Sequence, residues 1–271
     1  MKKLFILLLT VLGLLIIDGC DVSSTYPTEQ LKYPAKTGNQ WEYHTIMTIE
    51  YYDSAGNISS VEIFDLENTI VKTESENDTL NGEPHFVLFT SYDLSTPENI
   101  NKLWYANPDS GFYAIAYSNA GSSQLVLPKG MNLNYQTIAG LTNSRRMQLF
   151  ISVSFNSNLS DSVLYYDPPR KVLKYPLKIS SRWIELEYPF YRERFVNEME
   201  TIQVPAGTFN CYKVESEWDF ELIFTDYINL TDGLIKRILF ADSSGISTPG
   251  NPDPVSYARI TTLSELAGKN F

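Results

Sequence analysis

The chain has 271 residues, 43% of them hydrophobic, 13% aromatic and 20% charged, which suffices for one large or two medium globular domains and excludes a disordered tail. Its 32 acidic and 21 basic residues leave a net charge of -11, a balance that repels phosphate backbones and argues against nucleic-acid binding. Two cysteines exclude a disulfide scaffold, and two histidines, His44 and His85, leave little for histidine-based metal sites or nucleophile triads.

The N-terminus carries an address. Lys2-Lys3 precedes an uncharged apolar run from Leu4 to Ile17, 14 residues long and too short to span a bilayer as a helix. Such a run, ending in small residues, reads as a secretory signal over residues 1–19. Its end, Asp18-Gly19-Cys20, resembles the bacterial lipobox, in which the Cys thiol receives a diacylglycerol before cleavage. Gly19 and Cys20 fit that pattern, and Asp18 departs from it. Cys20 is therefore the expected lipidation site, and residues 20–31, with Ser, Thr, Pro and Glu, are the expected tether. With Cys20 lipidated, Cys211 has no intramolecular partner, and its apolar neighbourhood marks it as a small core residue rather than a reactive thiol.

Beyond the tether, short alternating stretches rich in Tyr, Phe, Ile, Val and Thr predict strands. Trp41 to Tyr52, a turn from Asp53 to Asn57, and Ile58 to Asp65 predict a hairpin. Asp53 and Asn57 offer too few convergent oxygens for a calcium loop. Turn clusters follow at 76–82, 107–111, 119–123 and 167–169, a spacing that marks an antiparallel all-β fold. The one helix candidate is Ser95 to Lys102, with a cap-like Ser-Thr-Pro-Glu start. Arg145-Arg146 and the Arg192-x-Arg194 pair read as isolated basic points that meet cross-strand acids. Between Met199 and Val214, Pro205-Ala206-Gly207 predicts a tight hairpin turn, and the opposite parities of Phe209 with Cys211 and of Tyr212 with Val214 predict a face switch near Cys211, of the kind a β-bulge makes. Glu215, Glu217, Asp219 and Glu221 alternate along one strand face; carboxylate pairs do glycosidase chemistry, but four in a row suit a solvated face that protects a sheet edge. The terminal Phe271 resembles the end of an outer-membrane barrel strand, yet Glu265, Ala267 and Lys269 break the apolar face such a strand needs.

An internal echo organises the rest. Leu31-Lys32-Tyr33-Pro34-Ala35-Lys36 and Trp41 recur in register at Leu173-Lys174-Tyr175-Pro176-Leu177-Lys178 and Trp183. The expectation is two related β modules, 32–172 and 173–271, each opened by a Tyr-Pro entry and anchored in its core by its tryptophan. Together they predict an all-β fold: a curved antiparallel sheet, half-barrel or open barrel, with very little helix.

Pro176-x-Lys178 with Trp183, then Val204-Pro205-Ala206-Gly207-Thr208-Phe209-x-Cys211-x-Lys213-Val214, then Gly233-Leu234-Ile235-Lys236 resemble the motifs of a group of uncharacterised bacterial envelope lipoproteins. The resemblance covers about Tyr175 to Phe240 and implies the curved sheet of the LolA/LolB-like lipoprotein-carrier superfamily. Ser180-Ser181 and Thr231-Asp232 depart from the glycines of the pattern. The group supplies no catalytic residues. Nor does the chain hold a Gly-x-Ser-x-Gly elbow, a phosphate loop, a Cys-x-x-Cys or a His-Glu-x-x-His. The expectation is a non-enzymatic lipoprotein of the bacterial cell envelope, outside the cytoplasm, without cofactor or metal and joined to a membrane through Cys20. Its first functional reading is a binding module for lipid, another apolar ligand or a polypeptide. The alternative is a structural or assembly-partner lipoprotein with a filled core.

Overall fold

Stretches in which β-branched and aromatic residues alternate with polar ones are strands in the computed structural model, which describes residues 30–53, 55–118, 163–187, 191–218, 222–246 and 256–271 and forms twelve strands among them. The first six strands are β1 Gln40–Tyr52, β2 Ile58–Leu80, β3 Glu83–Asp93, β4 Asn101–Ala106, β5 Gly111–Ser118 and β6 Leu164–Lys174. The second six are β7 Arg182–Leu186, β8 Arg192–Val204, β9 Gly207–Trp218, β10 Leu222–Asn229, β11 Gly233–Ile246 and β12 Ser256–Asn270. Strands make up 75% of the described residues, and no helix occurs among them. The fold is all-β, as the spacing of turns predicts.

All twelve strands form one antiparallel sheet in the order β6-β5-β4-β3-β2-β1-β12-β11-β10-β9-β8-β7. Each run of six is a meander, and the runs join where β1 pairs with β12. The sheet curls until its edge strands β6 and β7 face each other, a nearly closed barrel. Side chains bridge this second seam. Trp183 Nε1 donates to the Lys171 carbonyl at 2.9 Å, and Arg194, from β8, donates to the Val172 carbonyl at 3.2 Å.

Antiparallel succession places the turns alternately at two ends of the barrel. One end carries the segment ahead of β1 and the links β2–β3, β4–β5, β6–β7, β8–β9 and β10–β11. Here the aromatic core forms. Tyr33 stacks on Phe112 (5.0 Å between centroids), Phe112 on Tyr105 (4.5 Å), and Phe89 meets Tyr105 edge-on. These geometries suit the ring quadrupoles. Polar tips here find main-chain partners: Trp41 Nε1 donates to the Asp232 carbonyl at 2.7 Å, and the Tyr43 hydroxyl to the Leu234 carbonyl at 2.8 Å. Gly233 makes this closeness feasible, since it sits at φ +90° and a Cβ there would lie 2.9 Å from Trp41 Nε1.

The Tyr-Pro entries lead into β1 and β7, the first strands of the two runs, with Trp41 and Trp183 at the second strand position. Both tryptophans are buried, as expected. Tyr33 and Tyr175, equivalent in the echo, meet: the Tyr33 N–H donates to the Tyr175 hydroxyl at 2.8 Å, which donates in turn to Asn107 Oδ1.

Several local expectations are corrected. The helix expected over Ser95 to Lys102 is a pair of turns running into β4, held by Thr96 N–H to the Asp93 carbonyl and Asn99 N–H to the Thr96 carbonyl. Too few residues separate β3 from β4 for a cooperative helix. The 167–169 turn lies instead inside β6, an edge strand, where missing proline donors cost no ladder bond and the β5 register breaks between Ala114 and Ala116. The bulge expected near Cys211 lies across the ladder at Asn197 of β8, opposite Lys213 and Val214. The 76–82 cluster is mostly strand, with the turn confined to Asn81-Gly82.

Candidate functional site

The most unusual chemistry of the described barrel is inside it. β8 sends Arg192, Arg194 and Val196 inward by simple alternation, and all three are buried. Glu185 of β7, Asp226 of β10 and Arg237 of β11 share that interior, none more than 5% exposed. Arg192 pairs with Glu185 at 2.5 Å, and Arg194 lies between Glu185 (3.8 Å) and Asp226 (2.5 Å). Arg237 grips both oxygens of Asp226, Nε to Oδ1 at 2.7 Å and Nη2 to Oδ2 at 3.0 Å, while its guanidinium covers the Phe224 ring at 4.3 Å. The result is a belt of charge spanning β7 to β11.

Burial alone would raise the Asp226 pKa; Arg237 and Arg194 reverse that and hold it below the usual carboxylate value. Arg192 is pulled down to about 10 by burial, opposed by Glu185 and assisted by the like charges of Arg170 and Arg194. A carboxylate clamped by two guanidiniums is a poor nucleophile and holds no proton to give. The belt suits cross-strand fixation, not acid–base turnover. Buried polar atoms without a hydrogen-bond partner there include Arg194 Nε and Ser216 Oγ, whose residues occupy directly opposed positions of β8 and β9.

Arg192 and Arg194 therefore do meet acids across strands, as the sequence suggests, but they are interior groups rather than isolated points. Glu185, Asp226 and Arg237 were missed. Their signal is parity: Asp226 alternates with Phe224 and Ile228, and Arg237 with Ile235 and Leu239, all buried. Cys211 is a buried free thiol, pushed up to about 12 chiefly by burial, with help from Asp232 and Glu200. It is inert core at neutral pH, as expected. Glu215 accepts from Asn197 Nδ2 at 2.8 Å and lies 4.0 Å from Lys213. It shields no edge, because β9 is paired on both sides. Cys20, Arg145, Arg146, Asp219, Glu221 and the Glu217 side chain lie outside what the structure describes. Among the described residues no group of three or more His, Cys, Asp or Glu could hold a metal ion. No described helix is long and apolar enough to cross a membrane.

No protein-family model matches the sequence, and no curated protein is similar to it. Two solved structures are similar in outline. One is a candidate exported protein with YmcC-like fold from Bacteroides fragilis NCTC 9343, 12% identical over 89% of this chain and 100% of that one, with a TM-score of 0.37. The other is a candidate lipoprotein from Parabacteroides distasonis ATCC 8503, 12% identical over 88% of this chain and 97% of that one, with a TM-score of 0.28. Neither description names the lipoprotein-carrier superfamily.

Proposed function

We propose that the chain is a lipoprotein of the bacterial cell envelope, held outside the cytoplasm by lipid on Cys20, whose barrel is a non-enzymatic scaffold that engages another envelope protein. The observation that carries this reading is the filled interior. Trp41, Tyr43, Phe112, Arg194, Asp226 and Arg237 are each at most 2% exposed. Buried as they are, these six side chains offer no surface of their own to a lumenal guest, so in this reading a partner meets the barrel from outside.

A second reading, a lumenal binding module for lipid or another apolar ligand, is favoured by Arg194 Nε and Ser216 Oγ, polar atoms that an anionic head group would satisfy. Native mass spectrometry of the full chain released from detergent separates the two. The mass of the acylated protein alone fits the scaffold; an additional non-covalent lipid fits the lumenal module and overturns the scaffold. Metabolic labelling with a palmitate analogue tests the anchor: the wild type takes up label and Cys20→Ser does not. Equal labelling of both would remove the anchor from the proposal.

A further inference from the structure

β2 outruns one of its neighbours. β1 pairs with it from Ile58 to Lys72, whereas β3 pairs only from Thr69 onward. Along 58–67, then, one edge of β2 has no partner strand among the described residues. Successive residues of an antiparallel strand direct their N–H and C=O groups to alternate sides, so half of this stretch presents main-chain donors and acceptors sideways.

Such edges are normally blunted by lysine, proline or a bulge. Ile58-Ser59-Ser60-Val61-Glu62-Ile63-Phe64-Asp65-Leu66 contains no lysine, proline or glycine, and its pairing with β1 runs unbroken from Ser60 opposite Tyr51 to Leu66 opposite Thr45. Ile58, Val61 and Ile63 are 53%, 50% and 70% exposed, apolar surface that pairing with another strand would cover. The charges on the stretch are acidic. Glu62 accepts from the Tyr51 hydroxyl at 3.0 Å, Asp65 is 2.6 Å from His44 Nε2, and Glu67 follows in sequence.

The geometry points to strand addition: the edge Ile58–Glu67 takes an extended segment of a partner protein whose apolar residues alternate with Lys or Arg. Charge chooses this occupant over a second copy. Another copy brings the same acids and its own net charge of -11, and self-pairing centred on Glu62 sets that carboxylate against itself. A basic segment instead meets complementary charge and an open hydrogen-bonding edge, the usual mode of strand augmentation. The inference rests on the scaffold reading above and gives it an address.

The test uses the full chain in mild detergent micelles and a nine-residue peptide of alternating Val and Lys, read by hydrogen exchange and mass spectrometry. The expected result is amide exchange slowed about tenfold or more over 58–67, equivalent to roughly 1.4 kcal/mol of protection. Ile63→Lys, at an exposed position, abolishes this protection while leaving the thermal midpoint unchanged. Three results would overturn the proposal: no change at 58–67, equal protection by a Val-Glu peptide, or an edge already protected in a dimer that Ile63→Lys dissociates. Retained lipid in the native mass measurement removes the scaffold reading, and unchanged exchange removes the strand addition, so the two fail separately.

Discussion

The two junctions between the six-strand runs are built in different ways. Where β1 meets β12 the backbone does the joining, from Gln40 opposite Asn270 to Tyr52 opposite Tyr257. Where β6 faces β7 the joining is done by Trp183 and Arg194, with Lys174 Nζ reaching the Arg182 carbonyl at 3.5 Å. A backbone ladder is nearly indifferent to side-chain identity, whereas a seam of side chains depends on a handful of residues and on whatever holds those residues in place. For Arg194 that support is Asp226. The barrel should therefore have one forgiving seam and one brittle one.

The sharpest way to break the comparison is Asp226→Ala, which strips the counter-charge from Arg194 and Arg237 together. Removing one partner of a buried ionic cluster costs about 3–5 kcal/mol, and urea melts should show it; a loss under about 1 kcal/mol would mean that the belt does not hold the seam. Acid probes the same carboxylate. Its pKa in the fold is depressed, so its stabilisation is present above the ordinary carboxylate value and is lost as pH falls through the folded one. Wild-type stability should accordingly fall on acidification below about pH 4 more steeply than that of Asp226→Asn, whose amide does not titrate. Parallel slopes would contradict this.

Trp183→Ala and Trp41→Ala come next, each expected to cost about 3–5 kcal/mol through lost burial and an unfilled cavity. The comparison predicts a difference in kind. Trp183→Ala also frees the Lys171 carbonyl and should speed exchange in β7 and β8 selectively, while Trp41→Ala loosens the aromatic end. Identical exchange maps would argue against a special seam. At the ladder junction, Thr45→Val removes the buried Thr45–Ser264 hydroxyl contact of 2.8 Å and should cost only about 1 kcal/mol by thermal melt. A cost of 3 kcal/mol or more would make that seam as dependent on side chains as the other. Smallest of all is His44→Ala. Its contact with Asp65 is at the surface, where such pairs contribute about 0–1 kcal/mol, so the melting midpoint should barely move.

This contrast also explains what could be read in advance. The β1–β2 and β8–β9 hairpins were legible because alternation and turn chemistry are local: Asp53 Oδ1 accepts from the Ala55 and Asn57 N–H groups, and Pro205-Ala206 links Val204 to Gly207. Trp41, Trp183 and Cys211 were legible as core because large or apolar residues at inward parity have few alternatives. The charge belt was not. Asp226 is 11 residues from Arg237 and 32 from Arg194 in sequence, and which strands close the barrel is decided by curvature, not by any window of residues. Pro168-Pro169 misled for a related reason, since a proline pair reads as a turn until the strand that holds it is known to be an edge.

The clasp between Tyr33 and Tyr175 has a mechanical side. A pull on the chain ahead of Leu31 reaches the barrel through Lys32, bonded to the Asn107 carbonyl and Asp109, and then through Tyr33, whose N–H is held by the Tyr175 hydroxyl and whose own hydroxyl accepts from the Leu234 N–H. Load is thereby shared at once between the link after β6 and the start of β11, before it enters β1. That strand lies mid-sheet with ladders on both flanks, so force along its axis shears many hydrogen bonds together instead of peeling them one at a time. A tug from the N-terminal side would thus enter along a strand laddered on both flanks and be passed to many strands together.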